Sequence, residues 1–384
     1  MIGTARTIRS GSRGDTGVDD FASSTKQIAD VFEAFWAREE DGTLKPDFEY
    51  AIIDGVVNVG RLYPFDRFVL GTSKPGRLAV LEWRRRSVQA LEGDDVEIET
   101  YAVGVNSRDI MNAMGPMQTH EDSFRLEGSG VVLRVGPGVK GLSVGDKVFF
   151  MGRNCFSTHV TMPENMFEKL VGGPSFVDAA TKPAVFITVV YSLFNVGGLR
   201  KGQSILIHSA CGGVGIAAIQ PARMVGAEIY TNVGREEKVQ HLMENFGIPR
   251  NRIFHFRNTS FVKDVMRETA GKGVDLALNL LSGELLHATW RCVAEFGKMI
   301  EIGKRHIVGA GKLDMDVFPA NRSYCCVDVE QLRLKKPDLC KELMRSIMGF
   351  FEDGHIRPIG PTTVFCGISH RGSFPLHAEG SAHR

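Results

Sequence analysis

Ile205-Leu206-Ile207-His208-Ser209-Ala210-Cys211-Gly212-Gly213-Val214-Gly215 is the stretch that decides the fold. A short apolar run stops at a small-residue turn, and a helical pattern starts at once. A dinucleotide pyrophosphate requires this order of parts. The strand delivers the chain, the glycines let the backbone turn sharply and approach the phosphates, and the first helical N–H groups face the anion. The pattern reads Ala210-x-Gly212-x-x-Gly215, with Ala210 where the first glycine usually stands. Its meaning therefore depends on the residues around it.

Downstream, strands and helices alternate. Ala227 to Val233 reads as a strand, and the next helix carries Val239, Leu242, Met243 and Phe246 on one face with Gly247 at its C-terminal cap position. Arg252 to Phe256 is a short strand, followed by a helix with Ser260 at its N-cap. Val274 to Asn279 is a strand, Gly283 to Ala294 a helix, Lys298 to Ile302 a strand and Leu339 to Phe351 an amphipathic helix. Such alternation predicts a parallel, doubly wound sheet.

Upstream, a helical region is expected from Ala179 to Phe194. Before it the rhythm is different. Residues 77 to about 170 read as short strands between glycine turns, as in Glu127 to Val135 and Val144 to Phe150, which predicts a small β-barrel. Asp54-Gly55 signals a hairpin between Asp47 and Asp66, Ile28 to Trp36 lies on an amphipathic helix, 72–76 is a linker, and the first 20 residues carry no periodicity.

The bulk numbers exclude several classes. The chain has 384 residues with 43% apolar content and a net charge of +1, so two or three domains are expected and nothing draws it to nucleic acid or an anionic membrane. No apolar run is long enough to span a bilayer, and the start carries no apolar signal segment. Seven cysteines without a C-x-x-C pair favour a reducing, cytoplasmic setting.

Cofactor preference is read at the end of the second strand, where a ribose-binding acid usually stands about 20 residues past the glycines. Here the strand ends in Gly234 and Arg235, with Lys238 one helical turn on. Positive charge suits a 2′-phosphate and favours NADPH over NADH. The alternative is that Arg235 and Lys238 are solvated and Glu236 or Glu237 reads an unphosphorylated ribose.

Four runs together resemble the medium-chain dehydrogenase/reductase enzymes: Glu127-Gly128-Ser129-Gly130, Gly145-Asp146-Lys147-Val148, His208 to Gly215, and Val274 to Glu284. Phe246 to Phe254 and Ala294 to Arg305 narrow the resemblance to the enoyl reductase domain of fungal highly reducing polyketide synthases, over about residues 45 to 365. It implies an α/β chain with a GroES-like β-barrel substrate domain and a Rossmann doubly wound parallel sheet. Residues 1–72 would be leader and connector, 73–190 the first part of the barrel domain, 191–334 the Rossmann domain and 335–384 a return to the barrel. The implied reaction is NADPH-dependent reduction of a trans-2-enoyl thioester on an acyl carrier protein, with other synthase domains as partners. The resemblance also admits a homodimer.

Hydride addition at the β carbon builds negative charge on the thioester oxygen, so the site needs a hydrogen-bond donor there and a proton for the α carbon. The resemblance points to Lys304 and Asp328 as the acid pair; the competing reading makes them a structural ion pair. It places Asn106 near the nicotinamide and Ala210, Gly212, Gly213, Val214 and Gly215 at the pyrophosphate. Arg235, Lys238, Arg257, Asn279 and Gly303 complete the expected cofactor contacts. The position of a proton-donating Tyr in bacterial relatives is occupied by Met117, whose thioether cannot donate. Positions matching the zinc ligands of metal-dependent relatives, Val105 to Asp109 and Leu126-Glu127-Gly128, offer neither Cys nor His, and Cys155-x-x-x-His159 reads as a strand.

Two features depart from the family. Pro221 falls inside the helix after the phosphate loop, where it removes the bond to the Ala217 carbonyl at a cost of about 3 kcal/mol and is expected to displace the loop. After Phe365 the sequence has no periodicity, and the barrel's closing strand is expected to be missing. The sequence therefore leaves open a stand-alone NADPH quinone or enone reductase and a catalytically impaired remnant.

Overall fold

The computed structural model describes residues 10–11, 50–53, 56–59, 67–72, 81–114 and 126–360. The helix expected at Ile28 to Trp36, the 73–76 part of the linker, Met117 and the stretch after Phe365 lie outside the described residues. The chain forms two compact units, residues 1–66 and 67–384.

In the first unit, β1 (Ser10–Gly11) runs parallel to β2 (Tyr50–Ile53), which pairs antiparallel with β3 (Val56–Val59) on the two sides of Asp54-Gly55. The hairpin falls where the sequence placed it.

The second unit opens with the antiparallel pair β4 (Arg67–Thr72) and β5 (Leu81–Arg86). Then come β6 (Asp95–Val103), α1 (Ser107–Met114), β7 (Glu127–Val135), β8 (Lys147–Met151), β9 (His159–Pro163) and β10 (Phe167–Lys169). These five strands form one antiparallel sheet in the order β10-β8-β7-β6-β9. The β4 strand joins the same layer through Thr158 N–H to the Phe68 carbonyl and Leu70 N–H to the Phe156 carbonyl. Val96, Ile98, Val132, Val148, Phe150 and Phe167 fill the interior of this β domain. Cys155, read from sequence as part of a strand, lies in the buried loop before β9 instead.

The predicted 179–194 helix is divided. It becomes α2 (Phe176–Ala180), α3 (Pro183–Val190) and a wider π turn over Tyr191–Val196. Pro183 supplies the reason: it cannot donate to a preceding turn, so it starts a new helix.

The nucleotide half follows: β11 (Ser204–Ile207), α4 (Gly213–Met224), β12 (Glu228–Val233), α5 (Glu236–Phe246), β13 (Ile253–His255), α6 (Phe261–Glu268), β14 (Val274–Asn279), α7 (Glu284–Cys292), β15 (Val293–Glu301), α8 (Arg305–Val308), β16 (Ser323–Cys326), α9 (Val329–Lys335) and α10 (Pro337–Glu352). Six parallel strands lie in the order β13-β12-β11-β14-β15-β16. That is the doubly wound arrangement, with its ligand crevice at the carboxyl ends of β11 and β14, where the order reverses. Fully buried strands explain the near-continuous apolar runs in Ile205–Ile207 and Leu276–Leu278.

Gly247 caps α5 as expected. It is left-handed at φ 55°, and Ile248 N–H reaches the Leu242 carbonyl at 3.2 Å. Ser260 precedes α6, but its hydroxyl makes no capping bond; Asn258 Oδ1 accepts the Ser260 N–H instead. The last strand before the Lys304 loop begins at Val293 rather than Lys298, because α7 ends at Cys292.

Pro221 does not break α4 or displace the loop before it. The helix runs on to Met224 with Pro221 buried, and Val225 N–H still reaches the Pro221 carbonyl. Pro221 falls in the last turn, so one ladder bond is lost far from the helix start. The neighbouring Gln220 ties that turn to Arg357, accepting its N–H at 2.6 Å.

Candidate active site

The phosphate loop is built as the glycines require. Ser209 turns the chain at φ 51°, Gly212 N–H reaches the Ser209 carbonyl at 2.7 Å, and Ala210 N–H reaches the Asn232 carbonyl at 3.2 Å. A β carbon on Gly215 would lie 2.5 Å from Ala210 Cα and 2.6 Å from the Ser209 carbonyl oxygen, so only glycine lets the helix start pack on the turn. Gly213 is different: its β carbon would meet nothing closer than Val185 Cγ1 at 3.7 Å. The helix begins without a side-chain cap, and its first bonded amide is Ile216, which reaches Gly212. Among the described residues the N–H groups of Gly213, Val214 and Gly215 are thus the unpaired donors of the first turn, and Gly212 and Gly213 are exposed.

A buried polar chain with no signature in the sequence holds this loop. Ser209 N–H donates to Asn232 Oδ1 at 3.2 Å, and the Asn232 amide donates to His208 Nδ1. That fixes the imidazole tautomer, so Nε2–H donates to Thr289 Oγ1 at 2.8 Å, and the Thr289 hydroxyl donates in turn to the Leu285 carbonyl. Burial drives the His208 pKa down to about 4, and an Nδ1 that accepts from Asn232 has no free lone pair for a second proton, so the ring stays neutral and in this pattern.

At the end of β12, Arg235 precedes α5 and is exposed, and Lys238 sits one turn on. Arg257 joins them by donating Nε–H to the Gly234 carbonyl at 3.0 Å. Among the described residues Arg235 and Lys238 form no ion pair. Glu236 lies 3.8 Å from Arg250 and 3.4 Å from His255, and Glu237 is exposed.

Asn279 and Gly303 meet at a residue that sequence reasoning passed over, Glu301. Asn279 Nδ2 donates to Glu301 Oε2 at 2.5 Å and to the Leu281 carbonyl at 2.9 Å, while its Oδ1 accepts the Leu281 N–H. Gly303 N–H donates to Glu301 Oε1 at 2.6 Å. The Asn279 amide is therefore committed to shaping the loop after β14. Burial pushes the Glu301 pKa up to about 7, against the bonds from Asn279, Gly303 and Tyr324.

Lys304 and Asp328 are brought together. Lys304 Nζ donates to Asp328 Oδ2 at 2.7 Å, with the side chains 38% and 29% exposed. Asp328 Oδ1 also accepts the Glu330 N–H at 3.0 Å, capping α9. A pair this exposed adds little to stability. Its position at the carboxyl end of β15 is where the doubly wound fold places ligands.

Asn106 precedes α1, and the helix start is capped from the other side: Asp109 Oδ2 accepts the Asn106 N–H at 2.8 Å. The Asn106 side chain is thereby freed and donates Nδ2–H to Glu127 Oε1 at 2.7 Å. Among the described residues no three His, Cys, Asp or Glu side chains gather into a metal-binding group. No helix among them is long and apolar enough to cross a membrane.

The comparisons with known proteins agree with this geometry. Residues 92–190 match the family described as alcohol dehydrogenase GroES-like domain, and residues 213–333 match the family described as zinc-binding dehydrogenase. The highly reducing polyketide synthase sphB of Aspergillus fumigatus is 44% identical over 402 residues, which takes in 99% of this chain and 16% of the synthase. ALT1 of Alternaria alternata, also a highly reducing polyketide synthase, is 40% identical over 404 residues, 99% of this chain and 15% of that protein. The chain thus spans a small part of the relatives it matches. The crystal structure of CurK enoyl reductase superimposes with a TM-score of 0.70 at 29% identity, covering 78% of this chain and 92% of that one. Escherichia coli quinone oxidoreductase complexed with NADPH gives 0.64 at 21% identity over 75% and 89%, a likeness of fold alone. The chain is an oxidoreductase of the medium-chain dehydrogenase/reductase superfamily. Within it, the chain belongs with the enoyl reductases of polyketide synthases.

Proposed function

We propose that this chain reduces the 2,3 double bond of an enoyl thioester carried on an acyl carrier protein, with NADPH as the hydride donor and other synthase domains as partners. The substrate class rests on one observation above the rest: 44% identity to a highly reducing polyketide synthase across 99% of the chain. The residues present fit the cofactor. Gly212, Gly213, Val214 and Gly215 offer an uncapped, glycine-lined helix start for the pyrophosphate, with Ala210 under the turn. Arg235, Lys238 and Arg257 put positive charge at the end of β12, where a 2′-phosphate belongs, and Glu236 beside them is drawn to Arg250 and His255.

The nicotinamide supplies hydride to the β carbon. The protein's own task is to hold and balance the charge that results. The Lys304 ammonium is the donor for a thioester oxygen gaining negative charge, and it carries a proton the α carbon needs. Asp328 holds that ammonium in place; Glu301 fixes the loop that presents it. Asn106 supports the nicotinamide.

The test is loss of nicotinamide absorbance with a crotonyl thioester. Turnover with NADPH well above NADH is the expected result, and a rate at the no-enzyme level with a series of enoyl thioesters would sink the reading. Lys304→Ala is expected to lower kcat by about 10²-fold with little change in thermal midpoint; an unchanged kcat would remove Lys304 from the mechanism.

A further inference from the structure

Glu127 lies on β7 and is 3% exposed. Its Oε2 accepts the Ala184 N–H in the first turn of α3 at 2.7 Å, and its Oε1 accepts the Asn106 amide at 2.7 Å. A β carbon on Gly104 would lie 2.5 Å from Oε1 and 2.6 Å from the Ala180 carbonyl oxygen, so the carboxyl group is seated against a glycine niche. Asp109 is the nearest other carboxylate and holds the Asn106 backbone N–H; the buried Cys155 thiol stands near both acids. Among the described residues no cation pairs with Glu127. Lys182, just before α3, places its ammonium over the Phe351 ring instead, 3.3 Å from the centroid.

We infer that Glu127 is a positioning residue that decides whether Asn106 presents its carbonyl oxygen or its NH2 group to the bound nicotinamide. The argument is one of donors and acceptors. An ionised carboxylate only accepts. With Ala184 N–H on one oxygen and Asn106 Nδ2–H on the other, Asn106 Oδ1 is left over; among the described residues it accepts no hydrogen bond. A nicotinamide carboxamide offers an NH2 group that this oxygen can accept. A protonated Glu127 must donate. The Ala184 N–H still claims one oxygen, so the hydroxyl faces Asn106, whose amide has to turn over and offer Oδ1 inward. Its NH2 then points outward. Asp109 pins the backbone of Asn106, so the side chain alone turns.

The ionisation falls in a useful range. Burial raises the Glu127 pKa to about 7, against the bonds from Ala184 and Asn106, and the Asp109 charge adds to the rise. The orientation of Asn106 is therefore expected to change across neutral pH.

The inference rests on the reading of Asn106 as a cofactor contact, and its test is binding rather than turnover. Glu127→Gln keeps the shape, but its oxygen must take the Ala184 N–H, so its NH2 faces Asn106 and locks the low-pH arrangement. NADPH affinity is measured by fluorescence titration from about pH 5.5 to about pH 8.5 for wild type and E127Q. The ratio of wild-type to E127Q affinity is expected to climb about fivefold across this range, the worth of one hydrogen bond of about 1 kcal/mol. In Asn106→Ala, which lacks the amide, the same climb relative to E127Q should vanish. A ratio that stays constant with pH, or a climb that survives in N106A, overturns the inference. If wild type binds NADPH with this pH profile but reduces no enoyl thioester, the substrate reading fails and the role of Glu127 stands.

Discussion

Gly215→Ala is expected to abolish NADPH binding and lower the thermal midpoint, whereas Gly213→Ala should fold as the parent does. The added methyl at 215 falls 2.5 Å from Ala210 Cα and 2.6 Å from the Ser209 carbonyl oxygen, so backbone must move, at a cost of about 2 kcal/mol or more. The turn cannot yield quietly, because Ser209 and Ala210 are bonded to Asn232, and Asn232 to the neutral, buried His208. At Gly213 the methyl has 3.7 Å of room within the protein. A loss of NADPH affinity there, with an unchanged midpoint, marks space that the ligand fills. Calorimetry and fluorescence titration on both variants separate the two cases. Wild-type affinity in G215A would show that the loop is not the phosphate cradle.

Glu330→Ala should be the most destabilising single change at the join between the barrel and the nucleotide fold. Glu330 is 5% exposed at the start of α9. Its Oε1 accepts from Arg153 Nε at 2.8 Å and Arg333 Nη2 at 2.9 Å, its Oε2 accepts from Arg333 Nε at 3.1 Å, and Arg108 Nη1 stands 4.0 Å away. Arg153 follows β8 and Arg108 lies on α1, so one carboxylate ties two barrel elements to the nucleotide half. Removing it leaves guanidinium groups together around an empty centre, a cost of about 4 kcal/mol. Burial pushes the Glu330 pKa up, but the Arg333 and Arg153 bonds and the Arg333 and Arg108 charges outweigh it and hold the carboxyl at about 2. A depressed carboxylate stabilises the fold above its ordinary value of 4.5 and loses that contribution as pH falls toward 2. The contribution is about 3 kcal/mol. Denaturant melts at pH 7 and pH 3 check it: the gap between wild type and E330A should narrow in acid. A gap of equal size at both pH values would show that the charge of Glu330 contributes nothing.

The sequence carried the local half of this protein. Apolar runs of strand length ending in glycine turns, each followed by a helical period, are short-range signals, and they gave the parallel nucleotide sheet and the glycine-rich strands of the barrel domain. The phosphate loop was legible for the same reason: Gly212 and Gly215 act within one turn of chain. Lys304 and Asp328 came from the family likeness, and the fold set them 2.7 Å apart. What could not be read were the buried carboxylates that hold the site in place. Glu127, Glu301 and Glu330 look like ordinary acids in a sequence with 45 Asp and Glu. Each owes its role to partners far along the chain: Asn106 and Ala184, Asn279, and Arg108 and Arg153. Pro221 shows the same division from the other side. Sequence propensity flagged a broken helix, yet burial of its ring in the final turn of α4 offsets the lost bond and leaves the helix start intact. Secondary structure and the phosphate turn follow from neighbours in sequence. The burial that retunes a carboxylate, and the long-range bonds that decide which way Asn106 faces, exist only once the barrel and the parallel sheet have packed together.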